Sequence, residues 1–340
     1  MKLHAPFVQL PLTFDAARLS EEVAALGEAV WRPHPQNFAG NSMLPLVAIE
    51  GDAANEGFSG IMRPTPELMR CAYLMQVLES FGATIGRTRL MRLSGGAEVT
   101  LHADQGYYWT ERVRVHVPIM TQPAVRFECG DCAVHMAAGE CWIYDTWRLH
   151  RVLNADDRPR IHLVCDTVGG ERFWNLVDAG RVVDQKPTFV NWNAQAVPFD
   201  PLRTPDPRFE SYNLPLVMTP WELKRHLDFL IDEMVPTSHT QSLRVQVSHF
   251  YRAWRALWAD RADALSAMPE YRRLLSTFLA SVQPMLVGAV LRNDLPLHGA
   301  LMIMVAQSAM DYQAQPASAA KTTVANSSPS SAADTADVAM

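Results

Sequence analysis

The chain has 340 residues, 48% of them hydrophobic, and a formal net charge of −6 at pH 7. This length is enough for one large domain or two modest ones with a well-filled core. The acidic balance gives no electrostatic reason to expect nucleic acid as a partner, and no apolar run reaches the roughly 18 residues that a membrane span needs. We therefore expect a soluble globular protein that binds neither nucleic acid nor a membrane.

The cysteine count and the first residues bear on the cellular compartment. Five cysteines are few and odd in number, which favours a reducing compartment over a disulfide framework. The segment from Met1 to Phe7 has no long apolar core after a basic start, so we expect no signal peptide. The predicted location is the cytoplasm.

Two helices are predicted in the first part of the chain, where residues 1 to about 65 otherwise mix short strands and turns. Over Phe14–Val30 apolar residues recur at helical spacing, and prolines follow as a stop. Over Pro66–Phe81 a proline stands near the first turn, and Gly82 follows the last apolar residue.

From residue 85 onward the pattern changes to short β-prone runs separated by turn residues. The eight runs are Ile85–Leu93, Glu98–His102, Val113–Met120, Val125–Glu128, Ala133–Ala137, Cys141–Tyr144, His150–Leu153 and Ile161–Thr167. Eight such strands fit a jelly-roll, or double-stranded β-helix, barrel. Among them, Cys129 and Cys132 have the spacing of zinc knuckles and thiol redox sites, but the Gly-Asp pair between them favours a two-residue hairpin loop.

The remaining chain is predicted to be helical. Thr219-Pro220-Trp221-Glu222 is a capping box that begins one helix, and two more are predicted over Ser242–Ala259 and Pro269–Met285. Their aromatic residues at helical spacing are expected to form a core.

The expected fold class is α+β, a barrel with flanking N-terminal helices and an all-helical C-terminal region. The predicted division places the barrel domain at 1–190, a Pro-rich connector at 191–216 and the helical region at 217–312. Residues 313–340 are mostly Ala, Ser, Thr and Asp, which predicts a disordered tail.

His102 and Asp104 are the residues from which a metal site is predicted. They are one residue apart in a segment of strand character, so their side chains point to the same face. His150, at the start of another β-prone run, supplies a third ligand. Two histidines and one carboxylate on one face of a metal leave its other positions open, as non-haem Fe(II) oxygenases require. We expect no catalytic side chain beyond this metal centre.

Arg160 supplies the second part of the hypothesis. It lies in an alternating run, Pro159 to Val164, which we expect to lie beside the strand of His150. A planar guanidinium pairs with a carboxylate through two parallel hydrogen bonds. Arg160 is therefore predicted to hold the far carboxylate of 2-oxoglutarate while the keto acid of that cosubstrate chelates iron.

Five motifs, in their order and spacing, resemble the aspartyl/asparaginyl β-hydroxylase family and are similar also to bacterial proline hydroxylases. They are His102-x-Asp104, Arg114-Val115-His116-Val117-Pro118, Gly139-Glu140-x-Trp142, His150-x-Val152-x-Asn154 and Arg160-Ile161-His162-Leu163-x-x-Asp166. The resemblance spans about Gly82 to Val168 and implies an Fe(II)- and 2-oxoglutarate-dependent dioxygenase on a double-stranded β-helix. The animal β-hydroxylases of the family lack a carboxylate at the position of Asp104, where this chain resembles the free-amino-acid proline hydroxylases.

The resemblance also implies roles for neighbours of the predicted ligands. Arg114 and His116 lie on one face of a predicted strand and are expected to help bind the near end of 2-oxoglutarate, with a surface pair as the alternative. His162 and Asp166 alternate in phase with Arg160 and are candidates for supporting positions.

Three residues after the metal motif are predicted to contact the substrate. Tyr107, Trp109 and Arg112 lie where a loop would rim the site, and an aromatic rim suits a cyclic or hydrophobic substrate. Plain packing is the alternative for these side chains.

The sequence thus predicts hydroxylation of a C–H bond in a free amino acid or small peptide, with Fe(II), 2-oxoglutarate and dioxygen as cofactors. The alternatives are a peptidyl hydroxylase of protein side chains, a cupin-like metal protein without oxygenase activity, and a silent barrel whose helical part binds a partner. A homodimer through the helical C-terminal region is a further expectation. The chain has no Gly-rich phosphate loop and no G-x-S-x-G elbow, so nucleotide hydrolysis and serine-hydrolase chemistry are not supported.

Overall fold

Two β-sheets of 11 and 5 strands form the centre of the molecule in a computed structural model, which describes residues 1–35, 38–183, 192–213 and 215–310 and the backbone of 321–323. The strands are β1 (Phe7–Phe14), β2 (Arg32–Pro33), β3 (Asn41–Ile49), β4 (Met62–Pro64), β5 (Thr84–Leu93), β6 (Glu98–Asp104), β7 (Val113–Met120), β8 (Val125–Cys129), β9 (Cys132–Val134), β10 (Glu140–Tyr144), β11 (His150–Asn154), β12 (Arg160–Gly169), β13 (Arg181–Val182), β14 (Gln195–Val197), β15 (Arg208–Phe209) and β16 (Lys321–Thr323).

Helices cover one side of the large sheet and form a separate C-terminal layer. They are α1 (Ala16–Leu26), α2 (Pro66–Met69), α3 (Ala72–Ser80), α4 (Tyr107–Thr110), α5 (Glu171–Asp178), α6 (Pro220–Glu233), α7 (Thr240–Arg261), α8 (Met268–Leu286) and α9 (Leu297–Leu301), with a 3₁₀ turn at Leu265–Ala267 and a π-helical turn at Met302–Ala306. Among the described residues, none of the helices is both long and apolar enough to cross a membrane.

The strand order confirms a β-rich, cupin-like fold. The large sheet runs β13-β1-β10-β7-β12-β5-β3-β2, and the small sheet runs β16-β6-β11-β8-β9. All eight β-prone runs predicted from the sequence are strands. One expectation was wrong: β12, which begins at Arg160, lies between β7 and β5 in the large sheet, whereas β11, which begins at His150, belongs to the small sheet. The alternation of residue types along a strand shows which face of the sheet a side chain points to. It does not show which other strand is the neighbour in the sheet.

The two faces of the large sheet have different chemistry. On β12, Leu163 and Cys165 point outward into an apolar layer that includes Leu19 of α1 and Leu74 of α3. The opposite face of the large sheet looks toward the small sheet, and a second apolar cluster between the sheets joins Trp142 and Tyr144 to residues of β8 and β11. Beside this apolar cluster, the inner face carries buried polar and charged side chains.

The N-terminal helices differ from prediction at one point. The first helix is observed as α1, with Asp15 as its N-cap. The predicted helix over Pro66–Phe81 is divided into α2 and α3. The buried carboxylate of Glu22, on α1, accepts hydrogen bonds from the backbone amides of Tyr73 (2.8 Å) and Leu74 (3.1 Å). This distant carboxylate satisfies the free amides of a new helix start, which local sequence does not reveal.

The β8–β9 hairpin is confirmed. Cys129 pairs with Cys132 across the two-residue loop.

The segment after β13 packs on the barrel, and the helical region follows. β14 pairs with β1 and β15 pairs with β5, both in parallel. The capping box of α6 is present, with Thr219 and Glu222 each bonded to the backbone of the other. The three predicted helices are observed as α6, α7 and α8. The predicted tail, 313–340, lies outside the described residues except for β16, whose backbone pairs with β6.

The aromatic residues of these helices form a core, as predicted. Phe250 of α7 stacks on Phe278 of α8 with ring centroids 4.3 Å apart, and Trp254 Nε1 donates to the carbonyl of Met218 at 3.0 Å. The same cluster includes Trp109 and Trp147 from the barrel.

Gly139 and Gly96 both have positive φ, but an added side chain would clash with neighbouring backbone only at Gly139. Substitutions at the two positions therefore distinguish the cost of backbone strain from the cost of a steric clash. At Gly139 (φ 82°) an added Cβ lies 2.3 Å from the carbonyl oxygen of Phe14, whereas at Gly96 (φ 69°) it meets nothing within 4 Å. Gly96→Ala should lower the free energy of unfolding by about 1 kcal/mol through backbone strain alone. Gly139→Ala should lower it by about 3 kcal/mol or more, because backbone must also move. Urea denaturation of both variants measures the difference; equal losses would contradict the packing at Gly139.

Candidate metal centre

Two adjacent strands of the small sheet bring the three predicted ligands together. His102 on β6 and His150 on β11 are register partners, so their side chains share a face. Asp104 follows two residues after His102, on the same side of β6. One ligand atom from each residue lies within 4.8 Å of the others, and all three residues are buried, with exposed fractions of 3%, 1% and 2% for His102, Asp104 and His150.

Backbone hydrogen bonds orient both imidazole rings. Nδ1 of His102 lies 2.6 Å from the carbonyl oxygen of Thr100, and Nδ1 of His150 lies 2.9 Å from that of Arg148. A neutral ring that donates from Nδ1 carries its lone pair on Nε2, which is then the atom available to a metal. Two such nitrogens and one carboxylate suit a divalent first-row transition metal and leave coordination positions open.

Arg114 holds the carboxylate of this cluster in place. Its Nη1 donates to Oδ2 of Asp104 at 2.9 Å, and its Nε donates to Oδ1 of Asp166 at 2.9 Å. Burial disfavours the guanidinium charge, but Asp166 and Asp104 together raise the pKa of Arg114 well above its ordinary value. Its Nη2 is buried without a hydrogen-bond partner among the described residues, so one donor remains for another group.

Arg160 is a buried cation on the inner face of the large sheet. It is 3% exposed, its guanidinium lies 5.1 Å from the ring centroid of Phe127, and it forms no ion pair within the described part of the chain. Its Nε has no hydrogen-bond partner there. Burial lowers the pKa of Arg160 to about 9, so the group is still charged at pH 7 but has no counter-charge among the described residues.

His116 and His162 lie between Arg160 and the metal cluster. Their Nδ1 atoms are 3.5 Å apart, and the ring of His116 is 5.3 Å from that of Tyr144. Tyr144 in turn lies 5.0 Å from the ring of His150. Burial and then the Arg160 charge hold the pKa of both His116 and His162 well below its usual value, so both rings are neutral at pH 7. Arg114 and His116 are 6% and 4% exposed, which is incompatible with a surface pair.

Two of the three predicted substrate residues contact segments after the barrel, and the third packs on the segment between β3 and β4. The hydroxyl of Tyr107 donates to Glu222 of α6 at 2.8 Å. Arg112 donates to both carboxylate oxygens of Glu210, at 2.8 and 2.9 Å, in a buried pair. Trp109 packs against the ring of Phe58 at 4.9 Å. Tyr107 and Arg112 also line a cavity of about 570 Å³ on that side of α4.

Sequence reasoning missed two inner-face arginines, Arg87 and Arg89. They alternate on β5, a pattern visible in the sequence, and are 7% and 8% exposed. Their inward direction depends on which face of β5 the helices cover, and the sequence does not state this.

A second cavity, of about 310 Å³, lies beside Asp104 and is closed on one side by α6. Its lining includes Glu111 and Trp147 from the barrel, and His226 and Phe229 from α6. His226 is 2% exposed, and burial followed by the nearby Arg225 charge lowers its pKa to about 3, so its ring is neutral. The helical region therefore forms part of the wall of a cavity that reaches Asp104.

Residues 55–169 match the family model described as aspartyl/asparaginyl beta-hydroxylase. This is the family that the motifs resemble, and the matched segment contains the three clustered ligands and Arg160. The match supports a 2-oxoglutarate-dependent hydroxylase, and the His-Asp-His cluster is a candidate site for its metal. The match ends before the helical C-terminal region.

Several solved structures are similar over part of the chain. An oxidoreductase of the 2OG-Fe(II) oxygenase family from Burkholderia pseudomallei is 14% identical, with 46% of this chain and 80% of that chain covered and a TM-score of 0.32. A Pseudomonas putida prolyl-4-hydroxylase is 15% identical, with 48% and 92% covered and a TM-score of 0.33. A cupin-superfamily sugar phosphate isomerase from Silicibacter pomeroyi is 21% identical, with 41% and 68% covered and a TM-score of 0.24. No curated protein sequence matches the chain.

Arg114→Gln should show that this guanidinium holds Asp104 and Asp166. The substitution leaves two buried carboxylates without their shared cation, so the free energy of unfolding should fall by about 3–5 kcal/mol. Arg151→Gln is the matched control, since its ion pair with Glu128 lies at the surface and should be worth less than about 1 kcal/mol. Chemical denaturation of the metal-free protein measures both, and similar losses would refute the assigned role.

Proposed function

We propose that this hydroxylase acts on a free amino acid or small peptide, with iron held by His102, Asp104 and His150. Arg160 is assigned to the far carboxylate of 2-oxoglutarate. The observation that carries this assignment is the buried, unpaired charge of Arg160 on the sheet that faces the three ligands. A cation in this state gains most from a ligand that brings a carboxylate into the barrel.

The side chains of the chain bind and orient rather than react. Fe(II), 2-oxoglutarate and dioxygen supply, when bound, the oxidative decarboxylation that yields succinate, CO2 and a hydroxyl group on the substrate. Arg114 holds the carboxylate of Asp104 in position, and its remaining Nη2 donor is assigned to the near end of 2-oxoglutarate. His116, held neutral, provides hydrogen bonding beside that cosubstrate without adding charge.

The size of the cavity beside Asp104 supports a small substrate. A volume of about 310 Å³ is at the lower end of the range of small-molecule sites, roughly 300–1,000 Å³. Closure by α6 on one side also limits access for a folded protein chain, which favours a free amino acid or short peptide over a side chain within a protein. Since α6 forms this wall, we assign the helical region to covering the site in preference to dimerisation.

His150→Ala tests the metal centre directly. With Fe(II) and 2-oxoglutarate under nitrogen, the wild-type protein should show the weak visible charge-transfer band of the chelate, and it should release succinate in air. The variant should lose both, because a two-ligand site no longer fixes the metal. The matched control is His249→Ala, which removes an exposed imidazole from α7 and should leave both signals intact.

A wild-type protein without the band and without succinate release, across the standard amino acids and short peptides, would exclude the proposed function. Loss of both signals in His249→Ala as well would show that the band does not report on this site.

Arg160→Gln tests the cosubstrate contact. Removing the partner of a buried carboxylate should raise the Kd of 2-oxoglutarate about 100-fold, read from titration of the charge-transfer band. Arg158→Gln, two residues earlier, removes an exposed arginine that pairs with Asp156 and should leave that Kd unchanged. Equal affinities in wild type and Arg160→Gln would show that the far carboxylate binds elsewhere.

A further inference from the structure

Inside the barrel, Arg89 is a second buried arginine that has no counter-charge in the part of the chain that the structure describes. It is 8% exposed, and in the described part of the chain its guanidinium forms no ion pair and its Nε has no hydrogen-bond partner. By contrast, the neighbouring Arg87 lies 4.0 Å from Asp166 and stacks on Phe58 at 4.1 Å. Burial, and then the charge of Arg87, lowers the pKa of Arg89 to about 9. As at Arg160, a bound anion would stabilise this buried charge.

The strand registers place Arg89 and Arg160 at different depths of the barrel. Arg160 is opposite Leu93 of β5, four residues beyond Arg89, and this separation is about 13 Å at roughly 3.3 Å per residue. Arg89 is opposite Val164, whose next inward neighbour on β12 is Asp166, the partner of Arg114. Arg89 therefore lies at the level of the carboxylates that adjoin the metal ligands, and Arg160 lies further along.

A count of the inner-face charges leaves an excess of cations. Among the described residues of this face, four guanidinium groups and two carboxylates are buried, which gives a sum of +4 − 2 = +2; they are Arg87, Arg89, Arg114 and Arg160, with Asp104 and Asp166. Asp145 is also buried, but it pairs with Arg148 and does not change this sum. The buried pair of Arg112 and Glu210 is neutral and does not change this sum. Fe(II) and the doubly charged 2-oxoglutarate also cancel each other. The loaded site thus remains positive and favours an anionic second ligand.

We propose that Arg89 binds a carboxylate of the substrate. The inference deepens the proposed function and rests on it, because Arg160 and the metal are assigned to the two carboxylates of 2-oxoglutarate. It narrows the substrate to a small molecule with a free carboxylate, either an amino acid or the C-terminal residue of a short peptide. A neutral side chain within a protein has no negative charge to pair with the guanidinium of Arg89.

Arg89→Met tests the inference, with Arg92→Met as the matched control on the opposite face of β5, where Arg92 pairs with Glu28. Thermal unfolding is followed under nitrogen with Fe(II) and 2-oxoglutarate, with either a pool of the standard amino acids or a pool of their α-carboxamides. The acid pool should raise the Tm of wild type and of Arg92→Met, and the carboxamide pool should not. For the most effective single amino acid, Arg89→Met should raise the half-saturating concentration about 10- to 100-fold.

A second measurement separates ligand binding from a structural role. Without any ligand, Arg89→Met should have a higher Tm than wild type, because it removes a buried charge that has no counter-charge. A structural arginine would give a lower Tm on removal.

Several results would overturn the inference. They are a carboxamide pool as effective as the acid pool, no Tm shift of wild type with either pool, an Arg89→Met variant that responds like wild type, and a lower ligand-free Tm in that variant. If Arg89→Met weakens 2-oxoglutarate as strongly as Arg160→Gln does, Arg89 belongs to the cosubstrate site and the inference is likewise wrong. If the proposed function is wrong, the result is different, because wild type then shows no charge-transfer band. The Tm shifts test the inference separately, since they require no turnover.

Discussion

The candidate site depends on two ion pairs that Arg114 forms. Its guanidinium, from β7 of the large sheet, binds Asp104 of the small sheet and Asp166 of β12. Two carboxylates buried side by side repel each other, and a single shared cation removes that repulsion while linking the sheets. A buried ion pair contributes little net stability because of its desolvation cost, so its main effect is to fix where the Asp104 carboxylate lies.

The inner face of the barrel can carry so much charge because the outer face supplies the apolar burial. Leu163 and Cys165 of β12 and their neighbours pack against α1 and α3, and this layer buries the outer face of the large sheet. The inward side chains are then available for ligands, even at a cost to the stability of the ligand-free protein. Arg89 and Arg160 are examples, because among the described residues their buried charges have no partner. Such charges lower the stability of the ligand-free protein but remain available to bind a ligand.

Much of this arrangement was predictable from the sequence, because strands and helices have different periods. Alternation located eight strands of the barrel and placed His102 and Asp104 on one face, and the capping box at Thr219 gave the start of α6. The roles assigned to the ligand residues remain predictions. What alternation does not contain is the identity of the neighbouring strand, which is why β12 was expected beside β11.

Long-range polar contacts were the other feature beyond reach of the sequence. The carboxylate of Glu22, on α1, accepts a hydrogen bond from a backbone amide at the start of α3. Glu210, in the segment after the barrel, pairs with Arg112. No local pattern distinguishes these carboxylates from solvent-exposed ones. Their partners become evident only when the sheets and helices are in place.

The attachment of the helical region to the barrel has a consequence for cooperativity. Trp109 and Trp147 of the barrel lie in the same apolar cluster as α6, α7 and α8, and Trp147 Nε1 donates to Glu233 at the end of α6 at 3.1 Å. Separating the two regions would expose both indole rings to water, at a cost of several kcal/mol. We therefore expect the barrel and its helices to unfold in a single transition.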